Sequence, residues 1–327
     1  MKVLVTGGTS LLARRTAEAL LGRGDQVVLL QRHASPIDTT QVLGDVRDAD
    51  AVAGAMNGCD AVVHCAAKVG VMGAWSEYHG VNVDGVAHVL HAARRADVAR
   101  VVHVSTPSVA HAGRSLVGAG ADAAVTGRSG AFYAESKAMG ERLALHAAGD
   151  ELPLVVLRPH LVWGPGDTQL VGRIVERARA GRLALVGHGN ALIDTTYIDN
   201  AASAMVAALD AVSPGAPCVG TAYVIANGEP RPVAELILGI LHAAGVHAQP
   251  RHVPLHVALG AGSVVERLWA LGRRTDEPPL TRFLAEQLGT AHWFDPRPAR
   301  DDLGWSPQVG IDQGLALLAE WFVAHPA

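Results

Sequence analysis

The sequence is poor in cysteine and in aromatic residues. Only three of its 327 residues are cysteine, and 4 % are aromatic. Cys59, Cys65 and Cys218 are odd in number and show no Cys-x-x-Cys spacing, which argues against a disulfide framework and against a zinc site. A chain of this length can bury a sizeable core without such cross-links, so we expect no metal and no disulfide.

The sequence also lacks a basic excess and a long apolar run. Its formal net charge is −4, which excludes electrostatic support for nucleic-acid binding. No apolar run reaches the roughly 18 residues that a membrane span requires. Met1 and Lys2 lead directly into the strand-like run Val3–Val5, so we expect no signal peptide. These absences predict a soluble cytoplasmic protein that acts on small molecules.

Short apolar strands alternate with helical patterns over the first 160 residues. The predicted strands are Lys2–Val5, Gln26–Leu30, Ala61–His64, Arg100–Val104 and Leu154–Leu157, and the predicted helices are Leu11–Gly22, Val83–Ala96 and Phe132–Ala147. Strands that are apolar throughout are typical of a parallel sheet covered on both faces. With right-handed crossovers, the pattern predicts an α/β doubly wound (Rossmann) domain over residues 1–165.

The pattern changes after Pro159. The turn Gly164–Gly166 interrupts the chain, and isolated helices follow, such as Val233–Ala244 and Val257–Leu271, with prolines and few strands between them. Residues 166–327 are therefore predicted to form a smaller, mostly helical substrate domain. The stretch at about 192–222 is expected to return to the Rossmann domain.

A glycine-rich turn joins the first predicted strand to the first helix. Free N–H groups at such a helix N-terminus bind a pyrophosphate, and this context favours a dinucleotide site over an ordinary tight turn. The residues expected to contact the dinucleotide are Gly7, Thr9, Ser10, Leu11 and Leu12. Ser10 and Ala13 stand where a GxxGxxG pattern has glycine. Ala13 is compatible with helix packing, whereas Ser10 brings a Cβ near the phosphates, although its hydroxyl could donate to one of them.

The residues at the end of the second strand indicate whether the cofactor is NADPH or NADH. A carboxylate there would bind the ribose 2′-hydroxyl of NAD, but none appears before Asp38. Arg32 is placed to bind a 2′-phosphate, which favours NADPH over NADH; the alternative is a solvent-facing arginine. Asp45 and Val46 follow the third strand, where they are expected to meet the adenine ring.

Tyr133 and Lys137 lie four residues apart on one predicted helix face. A phenol with a pKa of about 10 is a weak acid–base catalyst at neutral pH, and a nearby ammonium lowers that pKa and can hold the nicotinamide ribose. A hydroxyl partner for the substrate carbonyl is expected from Thr106 or its neighbour Ser105, although hydroxyls at strand ends often only cap backbone groups. The stretch Ala110–Gly130 is predicted to be a loop beside this site.

Together these motifs resemble the extended short-chain dehydrogenase/reductase family over nearly the whole chain. The resemblance implies catalytic roles for Thr106, Tyr133, Lys137 and Asn82, and cofactor contacts from Ala66, Ala67, Pro159 and the Tyr133–Lys137 pair. It also implies a homodimer, by analogy alone.

The second half resembles a narrower group. Segments 157–167, 194–202 and 277–284 are similar to bacterial 2-alkyl-3-oxoalkanoate reductases and, more loosely, to 3β-hydroxysteroid dehydrogenases. This similarity implies NADPH-dependent reduction of a 3-oxo group on an apolar β-keto acid. Besides Thr106, we expect Lys68 and His160 to bind the substrate, as cationic or donor groups near the nicotinamide. The alternatives are a solvated loop lysine and a packed histidine.

Other functions on the same fold stay open. They are a 3β-hydroxysteroid-type dehydrogenase, a sugar-nucleotide epimerase, and a non-redox Rossmann enzyme or cofactor-binding protein. Dehydratases of the family carry an Asp-Glu pair after the catalytic threonine, where this sequence has Pro107 and Ser108. Retention of Thr106, Tyr133 and Lys137 argues against a pure binding protein.

Overall fold

A computed structural model describes residues 1–70, 72–110, 115–126, 131–271 and 281–326. We number its elements in chain order. The strands are β1 (Lys2–Thr6), β2 (Gln26–Gln31), β3 (Thr40–Leu43), β4 (Ala61–His64), β5 (Arg100–Val104), β6 (Leu116–Ala119), β7 (Leu154–Pro159), β8 (Val162–Trp163), β9 (Ala184–Val186), β10 (Leu192–Ile193), β11 (Thr196–Tyr197), β12 (Ala222–Ile225), β13 (Arg231–Pro232), β14 (Arg251–Val253) and β15 (His292–Phe294). The helices are α1 (Leu11–Gly22), α2 (Ala49–Met56), α3 (Trp75–His79), α4 (Gly85–Arg95), α5 (Phe132–Ala147), α6 (Val171–Arg179), α7 (Ile198–Ala211), α8 (Val233–Ala243), α9 (Leu255–Leu271), α10 (Arg282–Gly289), α11 (Arg297–Leu303) and α12 (Ile311–Ala324).

The central sheet of the described chain has seven parallel strands in the order β12-β7-β5-β4-β1-β2-β3. The prediction of a doubly wound parallel sheet is confirmed. Runs such as Val3–Val5 are fully buried because helices cover both faces. The direction of winding reverses between β1 and β4, so the carboxyl ends of these two strands border the crevice where folds of this type bind ligands.

Helix α7 brings the second half of the chain back onto the sheet. It packs on α1, and Met205 and Leu209 of α7 share one buried cluster with Ala17 and Leu20 of α1. Strand β12 extends the sheet beyond β7 in the same direction. The opposite face is covered by α2, α4 and α5, so the sheet is closed to solvent on both sides.

The second half contains more strands than the sequence predicts. Strands β13, β10, β15 and β6 form a second sheet, and β6 comes from the stretch Ala110–Gly130 that was expected to be a loop. These strands have two to four residues, too few to show a period-two hydrophobic pattern. Residues 111–114 and 127–130 of the stretch lie outside the described residues, as do 272–280 of the segment that ends at 284.

Helices α8 and α9 lie close to their predicted positions. In the described ranges, no helix has both the length and the apolar character of a membrane span. The same residues contain no cluster of three or more His, Cys, Asp or Glu side chains that could hold a metal ion. Cys59, Cys65 and Cys218 are free thiols.

Candidate active site

The glycine turn lies at the crevice between β1 and β4. Gly7 follows β1 with a φ of +77°, a conformation that favours glycine, and its N–H donates to the carbonyl of Leu30 at 2.8 Å. A Cβ at Gly7 would lie 2.8 Å from the Cα of Ala66, just after β4. The turn therefore passes directly against the chain that leaves β4, and a larger residue would push the two strand ends apart.

Ser10 is the N-cap of α1. Its backbone is extended, and its Oγ accepts a hydrogen bond from the N–H of Ala13 at 3.3 Å. Capping explains the serine at a position where the family pattern has glycine, because a serine oxygen satisfies an N–H of the first turn. The hydroxyl is exposed and keeps its own proton for donation. Thr9 is exposed, whereas Leu11 and Leu12 pack against the core of the second half.

Gln31 lies beside the glycine turn at the end of β2, and the sequence analysis did not single it out. Its Nε2 donates to Gln41 at 2.7 Å, while its buried Oε1 has no hydrogen-bond partner among the described residues. Any Cβ at Gly8 would collide with this oxygen. An unsatisfied buried acceptor facing the turn fits a ligand that carries hydroxyl donors, as the ribose of a dinucleotide does.

The residues predicted to select the cofactor occupy the same edge of the sheet. Arg32 follows β2 directly and is exposed. Arg47 donates two hydrogen bonds to the carboxylate of Asp45, one from Nε at 3.0 Å and one from a terminal nitrogen at 2.8 Å. These side-chain hydrogen bonds lower the pKa of Asp45, and the nearby charge of Arg32 lowers it further. Val46 is buried, and its carbonyl accepts a hydrogen bond from His88.

The predicted catalytic residues meet where α5 approaches the end of β5. Burial raises the pKa of Tyr133, and the neighbouring hydroxyl of Thr106 opposes this rise only in part. The lowering expected from Lys137 is therefore not observed. The phenol is protonated at neutral pH and can donate, but a raised pKa makes it a weaker acid, so proton transfer from Tyr133 depends on a nearby positive charge such as that of Lys137. Thr106 also caps the short turn Pro107–Val109, accepting from the N–H of Ser108 at 3.3 Å.

Lys137 is buried one helical turn beyond Tyr133. Its Nζ donates to the carbonyl of Val104 at 2.6 Å. Burial lowers the pKa of Lys137 to about 8, although the nearby Glu141 and Cys65 oppose this shift. The ammonium therefore stays charged at neutral pH, as stabilisation of a phenolate requires.

A buried ion pair lies on the face of α5 that carries Tyr133 and Lys137. Arg158 on β7 donates to both carboxylate oxygens of Glu141, at 2.9 and 2.5 Å, and to the carbonyl of Asp122 at 2.8 Å. Both charged side chains are almost completely excluded from solvent, at 1 % and 0 % exposure. The sequence analysis missed this pair, although the spacing of Tyr133, Lys137 and Glu141 in steps of four places all three on one face.

The side chain of Asn82 forms hydrogen bonds both to the segment that follows β4 and to helix α5. The predicted helix Val83–Ala96 begins earlier in the structure, with a π-helical turn over Gly80–Asp84, a feature that often marks functional sites. The amide of Asn82 accepts from the N–H of Lys68 at 2.8 Å and donates to its carbonyl at 3.0 Å. It also donates to Ser136 Oγ at 2.9 Å, so it holds the segment next to the Tyr–Lys helix.

The chain between β4 and α3 carries three further predicted site residues. Ala66 donates its N–H to Thr6 Oγ1 at 3.1 Å, and Ala67 is partly buried. The ammonium of Lys68 forms a 2.7 Å ion pair with Glu77 and lies 5.3 Å from the ring centre of Tyr78. The role of Lys68 towards a substrate stays a prediction, because its charge is already paired in this structure.

Pro159 and His160 end the strand β7 and start the chain that follows it. Pro159 pairs with Ile225 of β12, and His160 Nδ1 lies 2.5 Å from the carbonyl of Asp194. The ring of His160 borders a small cavity next to Ser108. The role of His160 towards a substrate stays a prediction.

Two buried histidines beneath the site were missed by the sequence analysis. His64 on β4 and His103 on β5 lie opposite each other, with ring centres 5.4 Å apart. Thr6 Oγ1 lies 2.7 Å from His64 Nδ1. Burial, reinforced by the charge of Lys137, lowers the pKa of His64 to about 3 and the pKa of His103 well below 6.5. Both imidazoles are therefore neutral at physiological pH.

These two histidines make stability sensitive to acid. Their pKa values are lower in the folded than in the unfolded chain, so the unfolded chain binds more protons below pH 6.5. We expect the free energy of unfolding to fall with decreasing pH by up to about 1.4 kcal/mol per pH unit for each histidine. Urea unfolding between pH 7 and pH 5 should show a smaller slope for His103→Phe than for the unchanged protein. The exposed His91→Gln is the matched control, and identical slopes for all three proteins would contradict the prediction.

The fold and the site together define a nicotinamide-dependent oxidoreductase of the extended short-chain dehydrogenase/reductase class. Residues 3–226 match the profile of the NAD dependent epimerase/dehydratase family, and the chain belongs to this family. It is 47 % identical over 324 residues to a 2-alkyl-3-oxoalkanoate reductase of Stenotrophomonas maltophilia (strain K279a), covering 97 % of this chain and 98 % of that protein.

Two further comparisons agree with this assignment. The chain is 30 % identical over 329 residues to a 3-beta-hydroxysteroid dehydrogenase of Mycolicibacterium neoaurum, covering 96 % of this chain and 89 % of that protein. The solved structure of a UDP-glucuronic acid 4-epimerase from Bacillus cereus in complex with NAD has a TM-score of 0.74 at 20 % identity and covers 99 % of each chain. At that identity the likeness shows the fold alone.

Proposed function

We propose that this chain reduces the 3-oxo group of an apolar β-keto acid, most closely a 2-alkyl-3-oxoalkanoic acid, with NADPH preferred over NADH. The observation that carries the proposal is the meeting of Tyr133, Thr106 and Lys137 at the end of β5, with the phenol beside Thr106 and the ammonium of Lys137 held on the carbonyl of Val104 one helical turn away. This arrangement supplies a proton donor for an alkoxide. The sequence identity of 47 % to a 2-alkyl-3-oxoalkanoate reductase, over almost the whole chain, supports β-keto acids as the substrate class.

The residues divide the reaction among them. The glycine turn and the capped N-terminus of α1 would hold the dinucleotide, whose nicotinamide supplies a hydride when bound. Thr106 donates a hydrogen bond to the substrate carbonyl oxygen and orients it. Tyr133 gives its proton to that oxygen as negative charge develops. Lys137 stabilises the phenolate that remains and holds the ribose hydroxyls.

The preference for NADPH rests on Arg32. A guanidinium can bind a 2′-phosphate, and β2 ends in the neutral Gln31 rather than in a carboxylate. We expect Arg32→Asp to lose roughly 1.5–3 kcal/mol of NADPH binding, about one to two orders of magnitude in affinity, with a much smaller effect on NADH. Fluorescence titration with both cofactors measures this. Arg95→Asp, the same charge change at the end of α4, is the control, and an unchanged NADPH affinity in Arg32→Asp would refute the role.

A substrate screen tests the function itself. The protein is incubated in separate mixtures with NADPH and a 2-alkyl-3-oxo acid, with NADPH and a 3-ketosteroid, and with NAD⁺ and a UDP-sugar, and the change in cofactor and the products are measured. We expect the oxo acid to be converted to the 3-hydroxy acid with one NADPH consumed per product. Turnover of the steroid alone would support the 3β-hydroxysteroid-type alternative. Epimerisation of the UDP-sugar with no net reduction of NAD⁺ would support an epimerase.

The proposal includes a homodimer. Phe132 and Leu143 on α5 are 49 % and 39 % exposed, which is high for large apolar side chains on a helix that packs on the sheet. Light scattering after size-exclusion chromatography tests this, and a monomeric mass at micromolar concentration would contradict it.

A further inference from the structure

Helix α9 carries a row of apolar residues that face solvent. Val257, Val264 and Leu268 are 47 %, 54 % and 57 % exposed, and Gly260 and Ala261 between them are exposed as well. At 3.6 residues per turn, these five positions lie within an arc of about 100° on one side of the helix. A helix at the surface of a globular protein carries polar residues on that side. We call this row the apolar stripe of α9.

Another side of α9 attaches the helix to the protein. Ala258 is buried with Ala285 of α10 and Val186 of β9 in one apolar cluster. Glu266, the only acidic residue of α9, accepts a hydrogen bond at 2.9 Å from the N–H of Arg282 at the start of α10. The helix is therefore already packed through these residues, and the apolar stripe does not belong to that core.

Positive charge borders the apolar stripe. Arg267 is exposed beside Leu268, and the exposed Arg251 lies four residues before the helix begins. The carboxylate of Glu266 lies on the opposite side of the helix from the stripe, where it is bonded to α10. In a chain with a net charge of −4, the exposed side of α9 thus combines apolar and cationic residues. This combination is complementary to an anionic lipid surface and is typical of helices that lie in the membrane interface.

The size and composition of the apolar stripe do not favour a protein partner. A stable protein–protein interface buries about 800 Å² on each partner, and tryptophan, tyrosine and arginine side chains at its centre supply most of the binding energy. The stripe consists of three half-exposed aliphatic side chains, one glycine and one alanine. A lipid surface requires no complementary shape, and it takes up aliphatic side chains at the boundary between headgroups and acyl chains.

We propose that the apolar stripe of α9 binds the surface of a membrane that contains anionic lipids. The helix lies parallel to the surface, with Val257, Val264 and Leu268 among the acyl chains and with Arg251 and Arg267 at the lipid phosphates. The inference goes beyond the proposed function, since binding needs neither cofactor nor turnover. It also concerns the supply of substrate, because an apolar β-keto acid partitions into the same bilayer.

Flotation with lipid vesicles tests the proposal on the full chain. The vesicles contain phosphatidylglycerol and phosphatidylcholine in equal parts, or phosphatidylcholine alone, and the fraction of protein that floats gives the partition coefficient. We expect the protein to bind the anionic vesicles, with a partition coefficient that is about tenfold lower on the neutral vesicles and that falls with added salt. A protein that does not float with the anionic vesicles would overturn the proposal.

The double variant Val264→Gln with Leu268→Gln removes the apolar stripe at two exposed positions. We expect its partition coefficient on anionic vesicles to be about tenfold lower or less than that, because two aliphatic side chains no longer enter the bilayer. The matched control is Leu238→Gln with Val323→Gln, which makes the same changes at exposed positions of α8 and α12 and should bind within about twofold of the unchanged protein. Equal losses in the two double variants, or no loss in the first, would contradict the proposal.

Arg267→Gln leaves the apolar stripe intact and tests the contribution of charge. We expect binding to anionic vesicles to fall about fivefold, with no change on neutral vesicles. Should the double variant of the stripe fail to fold, as judged by circular dichroism, this variant takes its place. Unchanged binding of Arg267→Gln to the anionic vesicles would then refute the role of α9.

Light scattering without lipid distinguishes a membrane from a second copy of the chain. If Val264→Gln with Leu268→Gln lowers the mass of the protein in solution, the apolar stripe contacts another copy and the proposal is wrong. An unchanged mass supports the proposal. Reduction of the 2-alkyl-3-oxo acid is measured on the same samples. A protein that binds vesicles without reducing the acid would contradict only the proposed function, and one that reduces the acid without binding vesicles would contradict only the role of α9.

Discussion

Tyr133→Phe is expected to lower kcat by roughly 10²-fold or more while NADPH affinity stays close to normal. The substitution keeps the aromatic ring and removes only the hydroxyl that lies beside Thr106. Without this proton donor the alkoxide has to take its proton from water. Single-turnover reduction of the 2-alkyl-3-oxo acid, together with an NADPH titration, measures both quantities.

Two further variants test whether the loss of turnover in Tyr133→Phe is specific to the hydroxyl of Tyr133. Lys137→Met should lower turnover and NADPH affinity together, because the proposal assigns the same ammonium both to the phenolate and to the ribose. Tyr223→Phe removes a phenol hydroxyl that donates to Asp302 at 2.7 Å, away from the site, and should leave kcat unchanged. Ketone reduction at a near-normal rate by the Tyr133→Phe protein would remove Tyr133 from the mechanism.

Arg158→Met should lower the free energy of unfolding by about 3–5 kcal/mol. The methionine fills much of the same space but leaves the carboxylate of Glu141 buried without its partner. It also removes the hydrogen bond that Arg158 donates to the carbonyl of Asp122. Urea unfolding at pH 7 measures the loss.

The double variant Glu141→Leu with Arg158→Met is the decisive comparison. It removes both charges, so it should be less destabilised than Arg158→Met alone. The exposed Arg142→Met, next to Glu141 on the same helix, should change stability by no more than about 0.5 kcal/mol. Glu141→Leu alone completes the cycle, and a double variant whose loss of stability equals the sum of the losses of Glu141→Leu and Arg158→Met would show that the charges do not interact.

Sequence alone was sufficient for five of the seven strands of the central sheet, for the glycine turn and for the spacing of Tyr133 and Lys137. Each of these depends on a local pattern of a few residues. Apolar β-branched runs predict buried parallel strands, a turn between a strand and a helix needs glycine, and a spacing of four residues places two side chains on one helix face. The bounds of α1 and α5 agree with the prediction because both helices are long and periodic.

Only the tertiary structure decided which distant residues meet. Asn82 reaches both Lys68 and Ser136, and the imidazole of His292 meets that of His160 across more than a hundred residues of chain. Such contacts follow from the order of strands in two sheets, and the strands of the second sheet are too short to be recognised in sequence. The direction of the pKa shift of Tyr133 was decided in the same way, because desolvation depends on everything packed around the phenol and not only on the charge four residues away.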